Sequence, residues 1–322
     1  MNILEVKNLN MSYETLEGSV AAVKDVTFSL KEGESFGIVG ESGSGKTSVA
    51  MSLLQLQADN GKITSGEIIF DGKDIVKLNE KELRDVRWSG ISIVFQGAMN
   101  SWNPVVKIGE QIREAIREHY PDKTKEENTD KINELFNIVG LDSSIADRYP
   151  HELSGGMKQR AVIALALSCD PKLIIADEPT TALDVVIQDQ ILNEIRKVQD
   201  ILGLSLIYIS HDIAVIAEMT DNMAVMYAGR IVEKGPTKEV FENPRHSYTQ
   251  SLLASTPSVV GDKIKLKSLD GEPPSLINEQ IGCSFAPRCP NKNTSCNPNH
   301  NMELVEVASD HYVDICNAER SK

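Results

Sequence analysis

Two short motifs in this sequence contain residue types that suit phosphate chemistry. The first is GESGSGKT, Gly40 to Thr47, which follows the apolar stretch SFGIVG and precedes a helix-like segment. Glycines allow backbone N–H groups to close around phosphate oxygens, and the N-terminus of the following helix adds a favourable partial charge. We therefore expect Lys46 to reach the β- and γ-phosphates of a nucleotide and the Thr47 hydroxyl to bind Mg²⁺.

The second motif is LIIADEP, Leu173 to Pro179. Its apolar residues predict a buried strand that ends in two acids, at the edge of an open α/β sheet where ligands bind. We expect Asp177 to hold Mg²⁺, through water, and Glu178 to polarise an attacking water as general base. An apolar run that ends in two acids is weak evidence by itself, and it gains weight from Lys46 upstream.

Strand-like and helix-like segments alternate along the chain and must position these motifs. In the segment VVIQDQILNEIRKVQDIL, residues at spacings of three and four predict one buried helical face: Ile187, Ile191, Ile195, Val198 and Leu202. Alternating strands and helices predict a parallel sheet that is covered on both sides.

Composition divides the chain into a main domain and a tail. Between about residues 104 and 160 the pattern becomes helical and charged, which indicates an inserted helical subdomain. From residue 256 onward proline, asparagine and cysteine become frequent and periodicity is lost. We therefore predict a main domain over residues 1–255 and a C-terminal extension over residues 256–322.

The overall composition excludes several classes of protein. The chain has 322 residues, of which 41% are hydrophobic and 25% charged, as in an ordinary soluble globular protein. A net charge of −14 argues against broad nucleic-acid binding, which needs a basic surface. The sequence contains neither an apolar run long enough to span a bilayer nor the apolar core of a signal peptide. We expect a cytosolic protein whose five cysteines stay reduced.

Four cysteines in the tail form a candidate ligand cluster: Cys283, Cys289, Cys296 and Cys316. Disulfides are disfavoured in the cytosol. Structural zinc usually takes close cysteine pairs, whereas a [4Fe–4S] cluster suits wider spacing. Four thiols without a ligand would leave a small tail with little to hold it together. Spacing alone leaves an iron–sulfur cluster, zinc and no ligand as alternatives.

A third motif, LSGGMKQR from Leu153 to Arg160, resembles the signature sequence of ATP-binding-cassette (ABC) ATPases, with Met157 where glutamine is commonest. Other parts of that family's pattern follow the family's order: Tyr13, Gln96 at the end of IVFQ, TALD from Thr181, and His211 in ISHD. This resemblance covers roughly residues 1–255. It implies an α/β fold, namely a P-loop NTPase nucleotide-binding domain of the ABC type with an antiparallel β subdomain and the inserted helical subdomain.

The resemblance also implies roles for individual residues. Tyr13 would stack on adenine, and Glu178, His211 and Gln96 would be catalytic. Mg²⁺ would be held by Thr47, Gln96 and Asp177. ATP would contact Tyr13, Gly40, Ser42, Gly43, Ser44, Gly45, Lys46, Thr47, Ser48, Gln96 and Asp177. Ser154, Gly155 and Gly156 open a helix and would meet the ATP of a partner subunit, so two ATPs would lie in a dimer.

Three further stretches resemble ATPase subunits of oligopeptide, dipeptide and nickel importers, and among them the D-type subunit of dipeptide importers. They are FQGAMNSWNPVVKIGEQI, PRHSYTQSLLASTPS and GEPPSLINEQIGCSFAPRCP. The first departs from the family at Gly97-Ala98, where Asp-Pro is commoner, and at Trp102, where leucine is commoner. With these stretches the resemblance covers essentially the whole chain.

This second resemblance implies the partners and the location. The partners would be a second ATPase subunit, often a different protein, two transmembrane permeases and an extracytoplasmic binding protein. The chain would lie peripherally on the cytoplasmic face of the membrane. Peptide is the expected cargo, with oligosaccharide or nickel as alternatives, and a soluble ABC ATPase acting on ribosomes or DNA is the competing class. Similar importer ATPases bind a [4Fe–4S] cluster through a comparable C-terminal cysteine pattern, so the resemblance favours that ligand over zinc.

Overall fold

The computed structural model describes residues 1–181, 183–255, 269–277, 282–292 and 302–314. The strands are β1 (Asn2–Thr15), β2 (Gly18–Lys31), β3 (Ser35–Val39), β4 (Gly61–Phe70), β5 (Lys73–Asp74), β6 (Ile91–Val94), β7 (Leu173–Asp177), β8 (Ser205–Ser210), β9 (Asn222–Tyr227), β10 (Arg230–Pro236), β11 (Leu304–Ala308) and β12 (His311–Asp314). The helices are α1 (Lys46–Leu54), α2 (Glu80–Val86), α3 (Ile108–His119), α4 (Lys125–Ile138), α5 (Gly155–Leu167), α6 (Val185–Leu202), α7 (Ile213–Met219), α8 (Thr237–Glu242) and α9 (Ser247–Ser255).

The chain forms two compact units. Unit 1 takes the described residues of 1–31, 35–77 and 208–322, and unit 2 takes residues 32–34 and 78–207. Strand β8 leads the chain from unit 2 into unit 1. The predicted division at residue 255 is not tested by these units and stays a prediction.

Unit 1 contains an antiparallel sheet of order β2-β1-β4-β5. Alternating apolar residues place one face of this sheet in a core, with Leu4 and Val6 of β1 fully buried. This is the antiparallel subdomain that the sequence predicts. The ring of Phe28 from β2 stacks on that of Phe36 from β3 at a centroid distance of 4.8 Å, so this sheet shares a core with the next one.

The second sheet of unit 1 contains a parallel strand pair, as expected from the predicted parallel sheet. Strands β3 and β9 run parallel from Phe36 opposite Asn222 to Val39 opposite Val225, and all residues of β3 are buried. A strand buried on both faces reads as a continuous apolar run, as SFGIV does. Strands β10, β12 and β11 continue from β9 by antiparallel pairing. The β11–β12 hairpin belongs to the tail, where the sequence indicates little periodicity.

Unit 2 combines a parallel strand pair with helices. Strands β6 and β7 pair from Ile91 opposite Leu173 to Val94 opposite Ala176. Helices α3 and α4 form where the sequence predicts a helical subdomain, and α4 begins with a capping box between Thr124 and Glu127. In the part of the chain that the structure describes, no helix is both long and apolar enough to cross a membrane.

Candidate nucleotide-binding site

The predicted phosphate loop lies in unit 1, between β3 and α1. Helix α1 begins at Lys46, and Gly45 precedes it with a left-handed φ of 103°. Thr47 in the first turn is exposed, as a group that meets a ligand must be. The side chain of Ser44 is buried, and its hydroxyl has no hydrogen-bond partner among the described residues. An exposed helix N-terminus offers N–H groups to a phosphate, and the buried hydroxyl of Ser44 is a further group that a phosphate oxygen could pair with.

Two glycines of this loop cannot be replaced without a clash. A Cβ atom on Gly40 would lie 2.2 Å from the carbonyl oxygen of Met226, and one on Gly45 would lie 2.3 Å from that of Ala22. Both neighbours are backbone atoms of adjacent strands, so neither can move aside easily. The glycine pattern therefore reflects close backbone approach around the loop.

Lys46 is buried beneath the loop. Its Nζ donates hydrogen bonds to the carbonyl oxygens of Gly40 at 2.7 Å and Glu41 at 3.0 Å. The ammonium group thus already lies on the concave side of the loop, where it can attract phosphate oxygens. That Lys46 contacts the β- and γ-phosphates of a nucleotide stays a prediction.

Glu41 connects the phosphate loop to the end of the chain. Its backbone N–H donates to the hydroxyl of Tyr248 at 2.9 Å, and its carboxylate accepts two hydrogen bonds from Arg288, at 2.7 and 3.0 Å. These hydrogen bonds are the main reason that the pKa of Arg288 is raised, and burial raises the pKa of Tyr248. Neither partner could be predicted from the sequence, because both are more than 200 residues distant from the loop.

Tyr13 and His211 complete the predicted residues of unit 1. The Tyr13 hydroxyl lies 3.3 Å from Oγ of Ser48 in α1, with the ring half-buried at the end of β1. A half-exposed aromatic beside the phosphate loop can present a face to a purine base. His211 is exposed directly after β8, and Asp212 then caps helix α7 through the N–H of Ala214.

The two predicted acids lie in unit 2 at the C-terminal end of β7. Asp177 is buried, and Glu178 is half-buried with a φ of +47°. A non-glycine residue in the left-handed region is uncommon and persists where its surroundings hold it, often at functional sites. The conformation turns the chain sharply directly after β7.

Gln96 and Thr181 both hold the Glu178 carboxylate. Nε2 of Gln96 donates to Oε2 of Glu178 at 2.8 Å, and Oγ1 of Thr181 donates to the same oxygen at 2.9 Å. Gln96 follows β6 and Glu178 follows β7, so the parallel pairing of these strands brings both to one sheet edge. The resemblance of TALD to the family's loop implies no role for Thr181, whose hydroxyl the structure places on the acid three residues earlier.

The predicted signature residues form the start of helix α5 in unit 2. Ser154 is the N-cap, and its Oγ accepts a hydrogen bond from the N–H of Met157 at 3.3 Å. Ser154 and Gly155 are exposed, and the first turn contains no acidic residue. An exposed helix N-terminus whose first turn contains no acidic residue is suited to an anion.

The candidate cysteine cluster is described only in part. Cys283 and Cys289 are half-buried on either side of a turn, whereas Cys296 and Cys316 lie outside the described residues. Within the described ranges, no group of three or more His, Cys, Asp or Glu side chains could hold a metal ion. The predicted iron–sulfur or zinc ligand is therefore not shown.

Comparisons with known proteins decide the family. The sequence profile of ABC transporters matches residues 23–181, and that of the oligopeptide/dipeptide transporter C-terminal region matches residues 232–296. A dipeptide transport ATP-binding protein of Bacillus subtilis (strain 168) is 43% identical over 297 residues, 91% of this chain and 88% of the relative. This chain belongs to the ABC transporter family.

A second relative and a solved structure support the assignment of this chain to the ABC transporter family. An oligopeptide transport ATP-binding protein of Bacillus subtilis (strain 168) is 46% identical over 89% of this chain and 81% of its own length. An ATP-binding cassette solved as a dimer in a post-hydrolysis state with ADP and Pi has a TM-score of 0.65 at 29% identity, over 73% of this chain and 98% of that one. The predicted fold class is thereby confirmed.

Proposed function

We propose that this ABC protein hydrolyses ATP to drive import of peptides by a multi-subunit membrane transporter. The observation that carries the ATPase part is the Glu178 carboxylate, which Gln96 and Thr181 orient at the end of a buried strand. The peptide part rests on the relatives, whose names describe dipeptide and oligopeptide transport, and on the C-terminal profile match. ATP with Mg²⁺ is the substrate of an ABC ATPase.

In the proposed site, the backbone of Gly40 to Ser48 cradles the phosphates and Lys46 neutralises their charge. Tyr13 stacks on adenine. The oxygen donors of Thr47, Asp177 and Gln96 suit Mg²⁺, which polarises phosphate oxygens when bound. In Gln96 the amide nitrogen is engaged by Glu178, so its Oε1 is the atom left to act as a ligand.

Glu178 accepts the proton of the attacking water, because its carboxylate is a base that Gln96 and Thr181 hold in a fixed orientation. His211 serves as the switch residue that senses the γ-phosphate. Ser154, Gly155 and Gly156 bind the ATP of a partner subunit, because an exposed helix N-terminus attracts phosphate. We infer a dimer of two such ATPase subunits, the second of which is a different chain.

The proposed partners are two permeases, the second ATPase subunit and an extracytoplasmic binding protein, with this chain peripheral on the cytoplasmic face. Affinity purification of the chain from native membranes tests the assignment. Recovery of two permeases, with ATPase activity stimulated by a peptide-loaded binding protein, is the expected result. Recovery of ribosomes or DNA without a permease would instead favour the soluble class. A binding protein loaded with nickel or oligosaccharide would keep the transporter and change the cargo.

We also propose that Cys283, Cys289, Cys296 and Cys316 hold a [4Fe–4S] cluster, with zinc as the alternative. Four thiolates in a wide spacing suit the larger cluster. The two described cysteines flank Phe285, whose buried ring packs against Tyr227 and Tyr248 at centroid distances of 5.3 and 5.4 Å. This anchoring would give the cluster a structural or regulatory role.

A further inference from the structure

The turn between Cys283 and Cys289 reaches the phosphate loop through Arg288. The guanidinium group of Arg288 forms a bidentate (two-pronged) ion pair with Glu41. Its Nη1 lies 2.7 Å from one carboxylate oxygen and its Nη2 lies 3.0 Å from the other. This geometry combines charge with a fixed orientation and is the strongest form of arginine–carboxylate contact. Glu41 is the second residue of the loop, so the contact acts directly on the phosphate cradle.

Arg288 is itself held rigidly. Its Nε donates to the carbonyl of Asp270 at 3.0 Å, and Nη1 lies 3.3 Å from the hydroxyl of Tyr227. The side chain is only 5% exposed, whereas that of Glu41 is 28% exposed. A buried guanidinium whose donors are fixed can impose its position on the more exposed carboxylate.

The rest of the extension braces the same region. The backbone N–H of Ala21 in β2 donates to the carbonyl of Leu276 at 3.3 Å, beside a bridge between Val20 and Ile277. Ala22 is the next residue of β2, and its carbonyl oxygen is the atom that leaves no room for a side chain at Gly45. Nδ2 of Asn291 donates to Oγ of Ser247 at 3.0 Å. The extension therefore contacts β2, which borders the phosphate loop at Ala22, and α9, which contains Tyr248.

Charge gives the ion pair a second consequence. A carboxylate in a phosphate-binding loop repels a nucleotide triphosphate unless a cation neutralises it. In the proposed function Lys46 binds the phosphates, so its ammonium group does not neutralise the Glu41 carboxylate as well. Among the described contacts of the Glu41 carboxylate, Arg288 supplies the compensating charge.

We infer that Arg288 is a positioning residue for ATP binding: it neutralises Glu41 and fixes the phosphate loop, so that the C-terminal extension completes the nucleotide site. The inference rests on the proposed ATPase function and adds a residue that its motifs do not include. It predicts that loss of Arg288 weakens ATP binding, and that this defect is largely electrostatic.

The test compares Kd for ATP, measured by equilibrium binding on the full chain, in five proteins: wild type, Arg288→Gln, Glu41→Gln/Arg288→Gln, Arg288→Lys and Lys292→Gln. We expect Arg288→Gln to raise Kd about tenfold, because an unpaired carboxylate remains beside the phosphates. The double variant should recover to within about threefold of wild type, since both charges are gone. Lys292→Gln removes an exposed positive charge three residues beyond Cys289 and should bind like wild type.

Two further measurements separate charge from loss of fold. The Arg288→Gln defect should shrink between about 0.05 M and about 0.5 M salt, because screening weakens the repulsion. Arg288→Lys keeps the charge without the two-pronged geometry and should fall between wild type and Arg288→Gln. If Arg288→Gln does not fold, Arg288→Lys and the double variant decide the matter. A Kd for ATP within about threefold of wild type in both supports charge neutralisation, and a larger loss of affinity in both overturns it.

Wild-type affinity in Arg288→Gln, or a double variant that binds no better than Arg288→Gln, would overturn the inference. Lys46→Ala distinguishes this from failure of the proposed function. Wild-type protein that does not bind ATP, or a Lys46→Ala protein that binds it equally well, would reject the ATP site itself. Tight wild-type binding that Lys46→Ala abolishes and Arg288→Gln leaves intact rejects the role of Arg288 alone.

Discussion

Nε2 of Gln96 lies 2.8 Å from Oε2 of Glu178, and the two residues follow neighbouring parallel strands. This contact joins a residue predicted to ligate Mg²⁺ to the residue predicted to be the general base. Because Thr181 donates to the same oxygen, the carboxylate is oriented from two sides. This orientation is what a carboxylate needs to accept a proton from an attacking water.

Thr181 provides the first test of this orientation. Thr181→Val keeps the shape of the side chain and removes the hydroxyl donor to Glu178. We expect kcat for ATP hydrolysis to fall about tenfold with little change in KM, because the base loses orientation while the phosphate loop is intact. Steady-state kinetics measure both constants. Thr181→Ser retains a donor and should restore most of kcat, and equal activity in the valine variant would show that Gln96 suffices.

The elements around the site follow from the sequence where pattern and burial agree. Helix α6 occupies the predicted segment, and Ile191, Ile195 and Val198 are buried on the predicted face. Leu202 is 41% exposed. It lies in the last turn of α6, directly before the C-cap Gly203, where the apolar residues of the helix extend beyond the surface that the helix buries. Periodicity thus predicts the helix well and its last turn poorly.

Long-range relationships could not be predicted in this way. The contact of Arg288 with Glu41 and that of Tyr248 with the same residue depend on how the chain returns to β3. The left-handed φ of Glu178 depends on the donors around it, and no local residue preference indicates it. The β11–β12 hairpin pairs with the edge of β10, and the valines of LVEVA and HYVD are a strand signal that the loss of periodicity elsewhere in the tail obscured.

The buried histidine His246 predicts a dependence of stability on pH. Burial lowers its pKa from 6.5 to about 4 in the folded protein, and its Nδ1 accepts the backbone N–H of Tyr248 at 3.1 Å. The unfolded chain therefore binds a proton between pH 6.5 and pH 4 that the folded chain does not. Stability contributed above pH 6.5 is lost as the pH falls, by about 3 kcal/mol in total.

His246→Asn tests this link, since an asparagine Oδ1 can accept the same N–H. The free energy of unfolding, measured by denaturant titration from pH 7 to pH 4, should decline less steeply in the variant than in wild type. The comparison between variant and wild type cancels the carboxylates, which titrate in both proteins. Parallel curves for the two proteins would mean that His246 does not titrate as described.

The cysteine cluster gives a prediction about metal content. Protein purified without oxygen should be brown and contain about four irons with acid-labile sulfide per chain. Cys283→Ser and Cys316→Ser should each lose iron, whereas Cys169→Ser, which changes a buried residue of unit 2, should retain it. A colourless protein with one zinc and no sulfide would assign the same cysteines to zinc, and one with neither would reject a ligand there.

Replacement of the proposed base tests the ATPase account most directly. Glu178→Gln should bind ATP as wild type does, because the phosphate loop is unchanged, and should hydrolyse it at least about 10²-fold more slowly. Lys46→Ala, the matched control, should lose ATP binding itself. Binding and single-turnover hydrolysis measured on one preparation of each protein, with its partner subunits present, separate the two effects. The account predicts a Glu178→Gln protein held as an ATP-loaded dimer, and hydrolysis at the wild-type rate would contradict it.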